Sequence, residues 1–334
     1  KESALRPLAC PRFSTGRVSS NQKFVSRIEI SEKTAATYRN GLREFSTVLR
    51  AHKIHPESRS PTDLTENAVG WFINALKRYS PATERLYLTA VSGFYDYLAG
   101  EGLAEINLPR IKLLIRQRAR RPGQRLPQFP KDDIDKVLDA MINMIITSGE
   151  DPNIKLRALR DRAFLITLAD TGLRVHEACK LRRGDIDWNE YRAIVIGKGN
   201  KQAVVRFSAR SIKALREYHA ERASLDGATG RPLTSLPLFA RHDKGAGKRV
   251  TAMSTRTGEN IVTERVTEIL GPEAAGTITP HSFRHYFVTT VLQGSGNLKL
   301  AQELARHTNI SVTQRYAHLS DDALDKGYGE IFNQ

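Results

Sequence analysis

The sequence has 334 residues, 40% of them hydrophobic, which is material for packed cores and, at roughly 100–200 residues per domain, for two of them. Lysine and arginine number 52 against 36 acids, a net charge of +16, and that excess points to a polyanionic partner, either nucleic acid or an anionic membrane surface. Such a composition excludes a disordered chain or a fibre, the lack of any apolar run of about 18 residues excludes a membrane-spanning helix, and Cys10 and Cys179 alone make neither a disulfide framework nor a metal set.

In chain order, residues 1–30 carry few apolar positions and read as an N-terminal arm. The chain opens on Lys1 rather than methionine, as expected of a trimmed start, and it shows no signal-peptide pattern. From Ser31 the pattern turns helical, with Tyr38, Leu42, Phe45 and Leu49 at i, i+4, i+7 and i+11. A second helix is predicted after Pro61, with Val69, Phe72, Ile73 and Leu76 on one stripe. A third opens at Ser80-Pro81, a capping residue before proline, turns Leu88, Val91, Tyr95 and Leu98 inward, and ends at Gly100. Nothing alternates with period two, so 31–108 is predicted to be a small all-α bundle.

Between Arg110 and Lys131 the composition shifts. Arg110, Lys112, Arg116, Arg118, Arg120, Arg121 and Arg125 appear without an acid, and Pro122, Gly123, Pro127 and Pro130 break any helix. The stretch 109–130 is expected to be a basic linker, both solvated and able to lie against a phosphate backbone.

The second half begins with a predicted helix containing Ile134, Val137, Leu138, Met141 and Ile145, and another from about Lys155 to Asp170, closed by Gly172. Arg192–Ile196 and Gln202–Phe207 are two β-like runs joined by Gly197-Lys198-Gly199-Asn200-Lys201, a hairpin signal. Ser208 caps a helix through Ile212, Leu215 and Tyr218, residues 226–258 are rich in loop formers, and the remainder from Glu259 reads as several short helices.

Neither a P-loop nor a dinucleotide glycine fingerprint is present, and no aspartate cluster marks a two-metal nuclease. What stands out are basic residues at element ends: Arg174 past a helix cap, Lys198 at a hairpin tip, and Thr279-Pro280-His281-Ser282-Phe283-Arg284-His285. Thr279-Pro280 is a good helix start, so His281 and Arg284 share a face near a terminus whose free N–H groups favour an anion. An ordinary solvated helix explains this stretch equally well when it is taken alone. Zinc is disfavoured: His281 and His285 are spaced i, i+4, but Ser282 stands where a zinc protease needs glutamate, and no third ligand is evident. Tyr316, taken alone, is more simply a packing residue than a nucleophile.

As a set, these stretches resemble the tyrosine recombinase (phage integrase) family, in its Xer and Cre type. The matching segments are Thr171-Gly172-Leu173-Arg174-Val175-His176-Glu177, Val195-Ile196-Gly197-Lys198-Gly199-Asn200-Lys201, Pro280-His281-Ser282-Phe283-Arg284-His285, and His307 followed nine residues later by Tyr316, all in the family's order. The helix around Ser80–Gly100 also looks like that family's core-binding domain, and the likeness runs from about 31 to 330. It implies a two-domain protein, an all-α N-terminal core-binding (SAM-like) bundle over 31–108 and a mainly α catalytic domain with a small antiparallel β-sheet (α+β) over 131–334, forming a C-shaped DNA clamp.

The resemblance implies roles residue by residue. Tyr316 would be the nucleophile, forming a 3′-phosphotyrosyl bond; Arg174 and Arg284 would clamp the phosphate; Lys198 would protonate the departing 5′-oxygen. His281 would be an acid/base partner, His307 a hydrogen-bond donor to the phosphate, and Glu177 a supporting acid. The DNA contacts would fall to Arg110, Lys112, Arg116, Arg118, Arg120, Arg121 and Lys201. Bidentate guanidinium groups suit the two oxygens of a phosphodiester, so neither metal nor cofactor is expected. The family precedent is double-stranded DNA with inverted half-sites, a dimer on each site and a tetramer at synapsis, with an accessory DNA-bending protein as a further partner, in the cytoplasm of a bacterium or archaeon. The segment after Tyr316, with Leu319, Leu324 and Ile331, is expected to dock on a neighbouring copy as a C-terminal exchange helix. One departure stands out: the family has glycine before the second histidine, whereas here Arg306 precedes His307. Three alternatives stay open, namely a type IB topoisomerase or telomere resolvase, a non-catalytic DNA-binding regulator, and a metal-dependent nuclease.

Overall fold

In a computed structural model of the chain, the described residues are 24, 32–56, 60–120, 130–146, 152–196, 202–243 and 245–307. They fall into two units, residues 1–125 and 126–334. No helix among the described residues is long and apolar enough to cross a membrane.

The first unit is helical. α1 (Glu32–Ala51), α2 (Asn67–Ala75, continued by a 3-10 turn over Leu76–Arg78) and α3 (Pro81–Gly100) follow the predicted stripes, and Leu42, Phe45, Leu49, Val69, Phe72, Ile73, Leu88, Val91 and Leu98 are all buried. The Ser80 side chain accepts the Thr83 N–H at 3.2 Å and Pro81 opens α3, so the third helix starts where its cap dictates. Phe45 meets Phe72 and Tyr95 edge-on, at 5.2 and 6.0 Å between centroids, and the Tyr95 hydroxyl donates to the Thr65 carbonyl at 3.0 Å.

Two sequence expectations are corrected here. Phe24, placed in the arm, is buried and packs against Tyr38, Phe94 and Tyr97; a single aromatic gives no periodic signal, so it was invisible to pattern. The linker expected from 109 opens instead with a helix, α4 (Leu108–Arg118), in which the Asn107 side chain caps the Arg110 N–H at 3.0 Å and Ile111 is buried against the bundle. Leu108, Ile111 and Ile115 cover one stripe of it, while Leu113 and the arginines Arg110, Arg116 and Arg118 stand exposed.

The second unit begins with α5 (Lys131–Ile142), α6 (Pro152–Thr171) and the one-and-a-half-turn α7 (Val175–Lys180). Ile145, predicted to be a core residue of the first of these, lies past its end and is 87% exposed. α6 runs through the middle of the core, with Ala163, Phe164, Leu165, Ile166, Leu168 and Ala169 all buried, and Gly172 (φ 58°) ends it in the left-handed conformation expected. Strands β1 (Ile186–Asp187), β2 (Arg192–Ile196) and β3 (Gln202–Arg206) form an antiparallel sheet in that order, with Ile194 opposite Val204 and Ile196 opposite Gln202. Ala193, Val195 and Val205 face the core, while Ile194, Ile196 and Val204 are exposed.

α8 (Ala209–Glu221) and the short α9 (Ala223–Gly227) follow, the first capped by Ser208, which accepts the Ser211 N–H at 3.1 Å. Beyond them, the loop-rich stretch is pinned to α8 by Arg222, which is fully buried. It donates to Asp226 Oδ1 at 2.8 Å, the Tyr218 hydroxyl at 3.0 Å and the Pro237 carbonyl at 2.9 Å. The chain closes with α10 (Thr255–Leu270), α11 (Pro280–Ser295) and α12 (Leu298–Ala305). Two of these are four-turn helices rather than the short ones predicted, because both have mixed faces that carry little periodic signal.

Candidate active site

Four segments of the second unit converge: the turn after α6, the first turn of α7, the first turns of α11, and the turn after α12. Thr279 caps α11 with Pro280 in its first turn, so Arg284 lies one turn inside the helix. Arg284 is buried, and its two Nη atoms donate to the carbonyls of Gly172 and Ala305. One guanidinium therefore ties α11 to the ends of α6 and α12. α11 is itself held to α5, since the Tyr286 hydroxyl donates to Asp135 Oδ1 at 2.7 Å, and Lys131 Nζ pairs with the same carboxylate at 2.8 Å.

Arg174 is the N-cap residue of α7, and Glu177 stands three residues on. Glu177 Oε2 accepts the Arg174 backbone N–H at 2.9 Å, and Oε1 accepts Arg174 Nη1 at 3.0 Å. This is the return half of a capping box, with the acid reaching back to the residue before the helix. Burial alone would raise the Glu177 pKa, but the Arg174 backbone bond and the Arg306 and Arg174 charges outweigh it and hold the carboxyl below its ordinary range.

The sequence marks Arg306 as a departure before His307 but does not show its partner in the site. It adopts φ 58°, ψ 42° at the end of α12, its own N–H bonds the Glu303 carbonyl at 3.0 Å, and the His307 N–H bonds the Gln302 carbonyl at 3.1 Å. That pattern is a Schellman turn, whose left-handed position is usually glycine. Here the side chain at that position folds back across the site: Nη2 reaches Glu177 Oε2 at 3.0 Å and the Gly172 carbonyl at 3.5 Å. The available signal was the departure itself, since a residue standing where a turn wants glycine has a reason other than backbone preference.

His281, His285 and His307 border these groups. The first two rings meet edge-on at 4.5 Å, and the Gln302 side-chain amide donates to the His307 carbonyl at 3.1 Å. Lost hydration, followed by the Arg284 and Arg174 charges, lowers the pKa of His281 and brings His307 down to about 4. Burial, then His281 and Arg284, brings His285 to about 4 as well. Burial and the neighbouring arginines thus favour the neutral form of all three imidazoles near pH 7. Among the described residues no group of three or more His, Cys, Asp or Glu side chains is gathered as a metal would need.

Of the predicted site residues, the structure brings together Arg174, Glu177, His281, Arg284 and His307. Lys198, Lys201, Arg121 and Tyr316 lie outside the described residues. On the first unit, Arg110, Lys112, Arg116 and Arg118 are exposed on α4. Arg120 turns into its own unit: its Nε bonds Glu84 Oε2 at 2.6 Å and its Nη2 bonds the Tyr79 carbonyl at 2.5 Å. Glu84 is wholly buried and needs that partner, together with Lys77 Nζ at 3.0 Å.

Residues 129–323 match the model of the phage integrase family, and residues 23–102 match the N-terminal SAM-like domain of phage integrases. The chain belongs to the phage integrase family. Tyrosine recombinase XerD of Mycobacterium tuberculosis is 31% identical over 307 residues, covering 88% of this chain and 90% of that protein. Tyrosine recombinase XerC of Pelobacter propionicus is 32% identical over 300 residues, covering 90% and 89%. This family member is thus a tyrosine recombinase, an enzyme of site-specific DNA recombination. Its fold is shared with XerH site-specific recombinase bound to palindromic difH substrate (TM-score 0.62, 21% identity, 90% of this chain and 80% of that one). It is shared also with the Tn1549 transposon integrase in complex with transposon right-end DNA (TM-score 0.64, 17% identity, 94% and 98%).

Proposed function

We propose that this recombinase binds double-stranded DNA at inverted half-sites and breaks and rejoins it through Tyr316. The tyrosine oxygen, giving up its proton to the neutral His281 imidazole, attacks the scissile phosphorus, the bond from phosphorus to the 5′-oxygen breaks, and that oxygen takes a proton from Lys198. The products are a 3′-phosphotyrosyl link and a free 5′-hydroxyl, and reversal on a partner strand rejoins the DNA without ATP, because the phosphodiester energy is kept in the tyrosyl bond.

The observation that carries this reading is the meeting of Arg174 and Arg284 with His281 and His307 at the ends of α6, α11 and α12. Two forked cations and two neutral imidazoles make a donor set for the equatorial oxygens of a phosphoryl group in transfer. Arg110, Lys112, Arg116 and Arg118 on α4 would follow the DNA backbone. By the precedent of the family, two copies occupy each site and four assemble at synapsis, in a cytoplasm where the DNA is accessible.

Nicked suicide duplexes cut from the DNA flanking the gene test this reading. Incubated in EDTA and run on a denaturing protein gel, the parent chain should yield a slow-migrating adduct and Tyr316→Phe none. An adduct that persists in Tyr316→Phe, or cleavage that needs a divalent ion, overturns it. Arg284→Ala should slow cleavage by at least about 100-fold while DNA binding holds, since many other cations grip the backbone. A bridging phosphorothiolate, whose leaving group needs no proton, should rescue Lys198→Ala.

A further inference from the structure

Arg306 is placed at a local cost. A side chain in the left-handed conformation crowds its own backbone, and the Arg306 Nε is buried without a hydrogen-bond partner among the described residues. What that placement achieves is the contact with Glu177 Oε2, across 129 residues of sequence.

The two arginines on Glu177 differ in freedom. Arg174 has a side chain 42% exposed, whereas those of Arg306 and Glu177 are 10% and 3% exposed. Arg174 can therefore swing toward a ligand, and Arg306 cannot do so without leaving its buried seat. A buried carboxylate whose only cation was also the phosphate clamp would be under-compensated whenever the clamp engaged.

We infer that Arg306 is a positioning residue for strand cleavage: it holds the Glu177 carboxylate in place, so that Glu177 keeps the Arg174 backbone and guanidinium aimed while Arg174 engages the phosphate. This rests on the recombinase reading above. It assigns a purpose to the arginine that stands in place of glycine before His307. Among the described residues, the charged groups acting on Glu177 are Arg174 from its own helix and Arg306 from the end of α12, while Arg284 shares the Gly172 carbonyl with Arg306 and lies beside His281, His285 and His307. Without Arg306, one of the charges that offsets burial at Glu177 is gone, so the carboxyl takes up a proton at a higher pH than in the parent chain.

The test is single-turnover cleavage of a nicked suicide duplex by the full chain, at saturating DNA, from about pH 5 to pH 9. Arg306→Gly suits the left-handed turn and deletes the cation; Arg306→Lys keeps a charge. In Arg306→Gly the acid limb of the rate should move up by about one pH unit or more, with DNA binding unchanged. Arg306→Lys should bring the limb back toward the parent position. In a Glu177→Gln background, removing Arg306 should shift nothing further, because the group that titrates is gone. A parent-like profile for Arg306→Gly, or a uniform loss at every pH together with a lower melting temperature, overturns the inference. Should Arg306→Gly fail to fold, Arg306→Gln carries the same expectation as glycine. If the parent chain forms no Tyr316 adduct at any pH, it is the recombinase reading that fails instead.

Discussion

Gly172 lies against the ring of Phe287, so close that a Cβ at residue 172 would sit 2.9 Å from the ring Cγ. The residue is also left-handed, with φ 58°, and its carbonyl accepts from both Arg284 and Arg306. Backbone conformation, packing and site geometry thus meet at one glycine between α6 and α7. Gly172→Ala should cost about 2–4 kcal/mol from left-handed strain plus overpacking. Cleavage should fall more than about tenfold well below the melting transition, since a shifted carbonyl releases Arg284. Urea titration and single-turnover cleavage check both, and a variant as stable as the parent would refute the close packing.

Acidification should destabilise the protein before any carboxylate protonates. His285 and His307 have folded-state pKa values of about 4, and the buried His219 and His242 about 3. All lie below the unfolded value of about 6.5, so the unfolded chain binds more protons between these limits, and stability falls as pH drops through that window. The urea midpoint should be flat between about pH 7 and 8 and decline from about pH 6.5 downward. His242→Asn should flatten the decline, and an unchanged slope in that variant would contradict the assignment.

A phosphate reverses the same logic at the site. An anion among His281, His285 and His307 favours their charged forms, so DNA binding near pH 6 should take up protons. Calorimetry in buffers of different ionisation enthalpy reads this directly. Heats that do not vary with buffer would mean that the histidines stay away from the phosphate.

Arg222 and Asp226 predict stability rather than chemistry. Both are buried, and the Asp226 carboxylate also accepts Arg183 Nη1 at 2.6 Å. Asp226→Ala leaves a fully buried guanidinium without its counter-ion and should cost about 3–5 kcal/mol by denaturant unfolding. A loss below about 1 kcal/mol would show that the carbonyls of Pro237 and Leu238 suffice.

Lys112 and Arg120 separate two uses of one basic stretch. Lys112 is exposed on α4, so Lys112→Ala should lower the salt slope of DNA binding by about 0.9 without affecting folding. Arg120→Ala strips the main partner from buried Glu84 and should cost about 3 kcal/mol in stability. The reverse pattern in salt titrations and melts would exchange their roles.

The sequence by itself determined whatever is local. Helix stripes such as Leu42, Phe45 and Leu49, the caps at Ser80, Ser208 and Thr279, the left-handed exit at Gly172 and the β2–β3 pairing all depend on neighbours within a few residues, where period and capping chemistry act. The order and spacing of the motifs also sufficed to place the chain in its family. Only the tertiary structure decided which charges serve one another. Arg284 meets the Gly172 carbonyl across 112 residues, Arg306 meets Glu177 across 129, and Arg120 turns to Glu84 across 36. A charged side chain reads the same in sequence whether it faces water, a phosphate or a buried acid. Its partner is chosen by which helix ends the packing of the core brings together, and no period in the sequence records that.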